Sequence, residues 1–378
     1  MDIKKHKFII LGSYTPNVLG QIRSLGEKGI SPIGILIHKD TFRIDKSKYL
    51  SKCYSVDTPE EGLEIIIHEY GHEPYKPFLY TDRDDVVGIV DKHLDDLSKR
   101  FYVWNGGEQG KLSRFLNKND QIELARQCGF RTPNTELLKS GELPTSLNFP
   151  VFTKATNSLK QWWKGSAYIC NNESELIKVY NAIEDEELLV QEYIIKKDET
   201  PIEGISIDKG REIYLYGQTR NYRQPEDSFG TYRHIEKFNN LETEKKIKDF
   251  IRKIGYTGPF EIEFIIDKNG IAYFLEVNFR IAQQNYGYTC FGVNISYIYA
   301  RSILENTIAK DEINYTSKQP FNIMYEFDDF KAFVVNKKIP LLKWLKDVKS
   351  TDVFLLFNKN DIAPFLFTLW EKFKKRIF

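Results

Sequence analysis

The chain has 378 residues, 41% hydrophobic and 28% charged, too long for one compact core and suggestive of two or three domains. Its 54 Lys and Arg against 53 Asp and Glu leave a net charge of +1, so no general electrostatic reason points to nucleic acid as a partner. Cys53, Cys128, Cys170 and Cys290 are too scattered for a thiolate metal cluster or a disulfide framework, no segment is apolar enough to span a bilayer, and a reducing cytoplasm fits.

The basic start MDIKKHK precedes a short apolar run that reads as a first strand and not as a signal peptide. KFIILG (7–12), a helix from Val18 to Lys28 closed by Gly29, and IGILI (33–37) form a β-α-β signature that predicts parallel strands. Gly12 and Gly20 do not make the glycine triplet of a dinucleotide fingerprint, and His38-Lys39-Asp40 stands where an acidic ribose partner would, which argues against NAD. PFLYTDRDD and a helix from Val86 to Arg100 carry this α/β domain to about residue 115. A helix from Asn119 to Cys128, strands Phe149–Thr153 and AYIC (167–170), a helix capped by Asn172 and the buried strand LLVQEYI (188–194) follow. From about 200 the pattern becomes antiparallel, with EGISI (203–207) and EIYLYGQTR (212–220), then a helix from Glu242 to Ile254.

Residues 258–280, GPFEIEFIIDKNGIAYFLEVNFR, read as a β-hairpin in which both strands alternate around Asn269-Gly270. A two-residue loop places Glu263 opposite Glu276 and Glu261 opposite Asn278. A four-residue loop pairs Glu261 with Glu276 and keeps the four on one face; an odd-length loop or a bulge would separate them. The other face collects Phe260, Ile262, Phe264, Tyr273, Leu275, Val277 and Phe279 and suits a core. Opposed carboxylates destabilise a sheet unless a cation lies between them, and carboxylate with amide oxygen suits magnesium or manganese completed by nucleotide phosphates.

The order of these parts resembles the ATP-grasp superfamily of carboxylate-amine ligases: Lys118 in NKND, Lys154 in FPVFTK, the strand LLVQEYI, an acid on one hairpin strand and FLEVNFR on the next. The resemblance implies a Rossmann-like pre-ATP-grasp domain over 1–115, a two-subdomain ATP-grasp fold with antiparallel sheets over 116–309 divided at 190/191, and an appendage over 310–378. It implies that Lys118 and Lys154 hold the phosphates of ATP. Gln191, Glu192, and the backbone of Tyr193 and Ile194 would line the adenine, with Asp198 at the ribose. Glu263, Glu276 and Asn278 would bind Mg2+ or Mn2+, Arg280 would contact phosphate, and Glu261 is an extra acid. Where many relatives carry a glycine-rich flap, this chain has TNSLKQWWKGS with Trp162-Trp163, which is most like the D-aspartate ligase-like branch.

The activity implied is ATP-dependent formation of an acyl phosphate from a small-molecule carboxylate, followed by capture by an amine with release of ADP and phosphate. Arg220 and Arg223, upstream of the hairpin, are candidates to clamp the carboxylate substrate. A small-molecule kinase and a non-catalytic nucleotide sensor are the alternatives, and a homo-oligomer is compatible with either. APFLFTLWEKFKKRIF (363–378) places Phe365, Leu369, Phe373 and Ile377 at helical spacing beside Lys372, Lys374, Lys375 and Arg376. That pattern could dock on an anionic bilayer, but the preferred reading packs the apolar face on the enzyme body.

Overall fold

The computed structural model describes residues 2–38, 40–156, 167–182, 187–225 and 228–375; the flap and Trp162-Trp163 lie outside the described residues. Strands β1 (Phe8–Ser13), β2 (Ile33–Ile37), β3 (Lys52–Val56) and β4 (Phe78–Tyr80) form a parallel sheet in the order β3-β2-β1-β4. Strand β1 is buried on both faces: Ile9 and Leu11 join one apolar cluster, Phe8 and Ile10 another. This is why its sequence is a continuous apolar run and not an alternation. The expected parallel pairing of β1 with β2 is present, joined by the helix Pro16–Gly26, whose N-cap Thr15 accepts from the Val18 N–H.

Three elements here differ from the sequence reading. Strand β3 and the helix Pro59–Tyr70 were not foreseen, because Lys52–Val56 is a mostly exposed edge strand with no apolar alternation. The single helix expected from Val86 to Arg100 is two, Asp84–Lys92 and Leu94–Arg100, broken at His93 with φ −114° and ψ 20°.

Strands β5 (Thr135–Lys139), β6 (Val151–Ala155), β7 (Tyr168–Cys170) and β8 (Glu187–Glu192) form an antiparallel sheet, β5-β8-β6-β7. Val151, Leu188 and Val190 pack with Leu176 and Val179 of the helix Glu173–Tyr180. Register pairs Phe152 with Gln191 and Lys154 with Leu189, so these four occupy the opposite face.

The largest sheet runs β13-β12-β9-β10-β11-β14-β15. It contains β9 (Lys196–Ile207), β10 (Glu212–Arg223), β11 (Tyr232–Glu236), β12 (Gly258–Asp267), β13 (Ala272–Asn278), β14 (Phe321–Met324) and β15 (Val353–Phe354). One face packs Ile202, Phe260 and Ile262 in a core with Ile247, Phe250 and Ile251 of the helix Leu241–Ile254. Residues 310–378, expected as an appendage, supply β14, which pairs with β11, and Asp361, which meets Arg23 in a fully buried ion pair.

Candidate active site

Strands β12 and β13 pair Glu263 with Glu276 and Glu261 with Asn278, the arrangement the two-residue loop predicted, but they reach it by another route. The loop has three residues, 268–270, closed by the Asp267 N–H on the Ile271 carbonyl at 2.9 Å, with Gly270 at φ +81°. An odd loop alone would set Glu276 opposite Ile262 on the core face. A bulge at Leu275, between the pairs Phe264–Phe274 and Glu263–Glu276, moves the register back by one. The bulge also corrects the expected core face: Phe274 packs against Phe130 and Phe250, whereas Tyr273 and Leu275 are only partly buried.

On its other side β12 meets β9, which brings Glu203 opposite Glu261. Glu203 is fully buried and went unnoticed in the sequence; an acid within the apolar EGISI was its signal, but its position depends on a strand pairing almost sixty residues apart. Gln284 ties the pair together by donating to Glu203 and, at 2.8 Å, to Glu261 Oε1, while its own Oε1 accepts from Arg233 Nη1 at 2.9 Å. Asn278 Nδ2 donates to Glu263 Oε1 at 3.0 Å and Glu261 Oε2 at 3.3 Å. Burial, with Glu261 and Glu276 beside it, holds the Glu263 carboxyl well above the usual range. Burial would also raise Glu276, but Lys118 and Lys154 outweigh it and pull Glu276 down to about 2.

Lys118 opens the helix Lys118–Gln127 and sets its Nζ 3.1 Å from Glu276 Oε2. Burial would lower its pKa; Glu276 outweighs that and raises it. One turn along, Gln121 clamps the free edge of β13: its Oε1 accepts from the Val277 N–H at 2.9 Å and its Nε2 donates to the Val277 carbonyl at 3.1 Å. That clamp fixes the helix start beside Glu276. Lys154 approaches from β6; burial, then the like charge of Lys118, lowers its pKa to about 8 against the pull of Glu276 and Glu263. Arg280 donates from Nε to Asp84 Oδ1 at 2.9 Å and from Nη2 to Asn278 Oδ1 at 3.4 Å, so the first domain anchors one wall.

Gln191 is buried on the Lys154 face and donates to Thr135 Oγ1 at 3.0 Å; Glu192 accepts from the Asn134 N–H at 3.1 Å. The Tyr193 N–H donates to the Pro150 carbonyl at 3.4 Å, and Ile194 follows it beyond the strand end. Asp198, opposite Ile266, is out of phase with Glu203 along β9. The expected substrate clamp is corrected. Gly217 pairs with Glu203, so Arg220, three residues on, alternates to the other face, where its Nε donates to Glu236 at 2.7 Å. Arg223 is held by Asp329 at 2.7 Å and by Asp347, both supplied by the C-terminal region.

Glu263, Glu276 and Asn278 offer hard oxygen donors of the kind magnesium takes, and the crowding that raises Glu263 is what a cation would relieve. Among the described residues no group of three or more His, Cys, Asp or Glu is arranged to hold a metal unaided. Two carboxylates and an amide would thus form part of a shell that phosphate oxygens complete.

No protein-family model matches the chain. It is 27% identical over 227 residues to N5-carboxyaminoimidazole ribonucleotide synthase of Staphylococcus epidermidis, a match covering 56% of this chain. The chain spans 59% of that relative's length. Among solved structures it is similar to an L-amino acid ligase from Bacillus licheniformis, with a TM-score of 0.63, 15% identity, and 82% and 78% of the two chains covered. It is also similar to N5-carboxyaminoimidazole synthetase from Staphylococcus aureus complexed with ADP, with a TM-score of 0.59, 13% identity and coverage of 75% and 73%. A third is the biotin carboxylase domain of Hydrogenobacter thermophilus 2-oxoglutarate carboxylase with MgADP, at TM-score 0.62, 16% identity and coverage of 82% and 72%.

Proposed function

Starting from the ATP-grasp fold that the chain shares with these enzymes, we propose that it is an ATP-dependent, ADP-forming carboxylate-amine ligase. The observation that carries this reading is the meeting of Lys118, Lys154 and Arg280 with the carboxylate face of Glu263, Glu276 and Asn278. The γ-phosphoryl group passes to an oxygen of the substrate carboxylate, giving ADP and an acyl phosphate. The amine nitrogen attacks the acyl carbon, the carbon–oxygen bond to phosphate breaks, and the nitrogen gives up a proton as phosphate leaves. Lys118, Lys154 and Arg280 offset the charge of the phosphates, and no protein nucleophile is needed. Glu263, Glu276 and Asn278 would hold magnesium or manganese, which when bound neutralises phosphate charge. Gln191, Glu192, Tyr193 and Ile194 serve the nucleoside end; Asp198, expected at the ribose, is not assigned there, because strand phase turns it to the Arg220 side of the sheet. The carboxylate clamp is not assigned to Arg220, which strand phase turns to the other face, or to Arg223, which Asp329 and Asp347 draw to the C-terminal region.

The test is to measure ADP, phosphate and product over a panel of acids, including amino acids and bicarbonate, each with a panel of amines. Equal release of ADP and phosphate that needs both substrates is the expected result. ADP with a stable phosphorylated product would make the enzyme a kinase, and ATP binding with no turnover on any pair would make it a sensor.

A further inference from the structure

The two C-terminal helices turn apolar side chains outward. On the helix Ala363–Lys374, Leu366, Trp370 and Phe373 fall on one stripe at i, i+4 and i+7, with Trp370 55% and Phe373 70% exposed. Its inner face is the more polar one. Thr368 Oγ1 accepts from the Arg43 N–H at 2.8 Å, Lys372 lies over the Phe42 ring at 4.9 Å, and Phe365 stacks on Phe327. The expectation that Phe373 packs on the enzyme body is thus overturned, while Phe365 does pack and Ile377 lies outside the described residues. On the helix Leu341–Ser350, Trp344 packs edge-on to Phe330 and Leu342 stands 81% exposed. Both helices lean on the same segment, through Phe327 and Phe330.

Charge is segregated onto this region. Residues 331–378 carry 11 Lys and Arg against 4 Asp and Glu, a net +7; the preceding 330 residues carry 43 against 49, a net −6. The four acids each have a basic partner in the chain: Asp347 on Arg223, Asp352 on Lys318, Asp361 on Arg23 and Glu371 on Arg43. Lys343, Lys346, Lys349, Lys374 and Lys375 are exposed beside the apolar stripes. A second copy docked face to face would set lysines against lysines, and an apolar stripe has no use for a purely polar partner.

We propose that this face docks on the surface of an anionic lipid bilayer, with the apolar stripe at the headgroup boundary and the lysines on acidic headgroups. Among the described residues no helix is long and apolar enough to cross a membrane, so the contact is peripheral. The inference stands apart from the ligase reading.

The full chain is sedimented with vesicles of phosphatidylcholine alone and of phosphatidylcholine mixed with phosphatidylglycerol. Binding is expected only to the anionic vesicles, weakened by salt, and lowered roughly tenfold by Trp370→Ser with Phe373→Ser, or by Lys374→Glu with Lys375→Glu. As a readout that does not depend on those variants folding, bromine-labelled acyl chains should quench tryptophan fluorescence of the natural chain and do so less in Trp370→Phe. Indifference of the natural chain to both vesicle types overturns the proposal. So does equal binding to both, or a solution dimer that Trp370→Ser dissociates while vesicles are ignored.

Discussion

At the residue scale the site is a set of unequal charges held by burial. Lys154 is the clearest case: its ammonium is buried and its pKa falls to about 8, so the folded chain below pH 8 carries a charge that burial disfavours. Between about 8 and the ordinary lysine value the folded state loses its proton first, so this penalty on stability fades as pH rises. Lys154→Met should therefore stabilise the ATP-free protein at pH 7 by up to about 3 kcal/mol, and the gain should shrink toward pH 10. The same variant should bind ATP poorly, which calorimetric titration would report. A variant less stable and equally able to bind would make Lys154 a structural residue.

The paired acids should respond in opposite senses. Glu263→Gln removes a carboxyl whose pKa is raised by burial and neighbouring acids, and should increase the melting temperature at pH 7. Glu276→Gln leaves Lys118 without its partly buried partner and should lower stability by up to about 3 kcal/mol. The contribution of Glu276 is complete above pH 4.5 and disappears as pH falls toward 2. Both variants should lose metal-dependent turnover. Full activity in both would remove the metal assignment.

At the scale of elements, the hairpin and the helix after Asn117 are coupled through one side chain. Strand β13 is an edge strand, and Gln121 satisfies the Val277 N–H and carbonyl as a further strand would. Gln121→Met would leave both groups without that partner, at a cost of about 2 kcal/mol, and would release the helix that aims Lys118. Denaturant melts should show the loss, and KM for ATP should rise. Lost stability with an unchanged KM would mean that the clamp does not position Lys118. The hairpin also shows how two local departures cancel: a three-residue loop shifts the register by one residue and the Leu275 bulge restores it.

At the scale of the whole molecule, the last third of the chain closes back on the first helix. Arg23, fully buried, donates from Nε to Asp361 Oδ2 at 3.0 Å and from Nη2 to the Leu356 carbonyl at 2.8 Å, while Ser47 and the Lys48 N–H also reach Asp361. Close packing at Gly20 serves the same junction, since a Cβ there would stand 2.6 Å from Asn285 Oδ1. Asp361→Asn would leave the Arg23 charge buried without its anion and should cost about 3–5 kcal/mol, read as a fall in the denaturation midpoint. A loss below 1 kcal/mol would mean that water or another carboxylate replaces the pair.

Local elements and the chemistry of the hairpin are legible along the chain, because alternation and turn residues act over a few positions. Spacing puts Glu261 with Glu263, and Glu276 with Asn278, on one face of each strand, whereas their meeting across the hairpin needed the Leu275 bulge to offset the three-residue loop; the apolar run of β1 announced a first strand in a parallel β-α-β unit. Features set by long-range pairing emerge only in the folded chain. Glu203 joined the three hairpin acids only when β9 met β12, and Arg220 and Arg223 left the site because strand phase and the C-terminal carboxylates claimed them. The sequence sets Phe365, Leu369 and Phe373 on one stripe, yet packing splits it: Phe365 turns inward with Thr368 and Lys372, while Phe373 faces out with Leu366 and Trp370. Periodicity gives a helix its apolar side but not its direction, since direction depends on partners, here Phe42, Arg43 and Phe327, that lie far away in the chain.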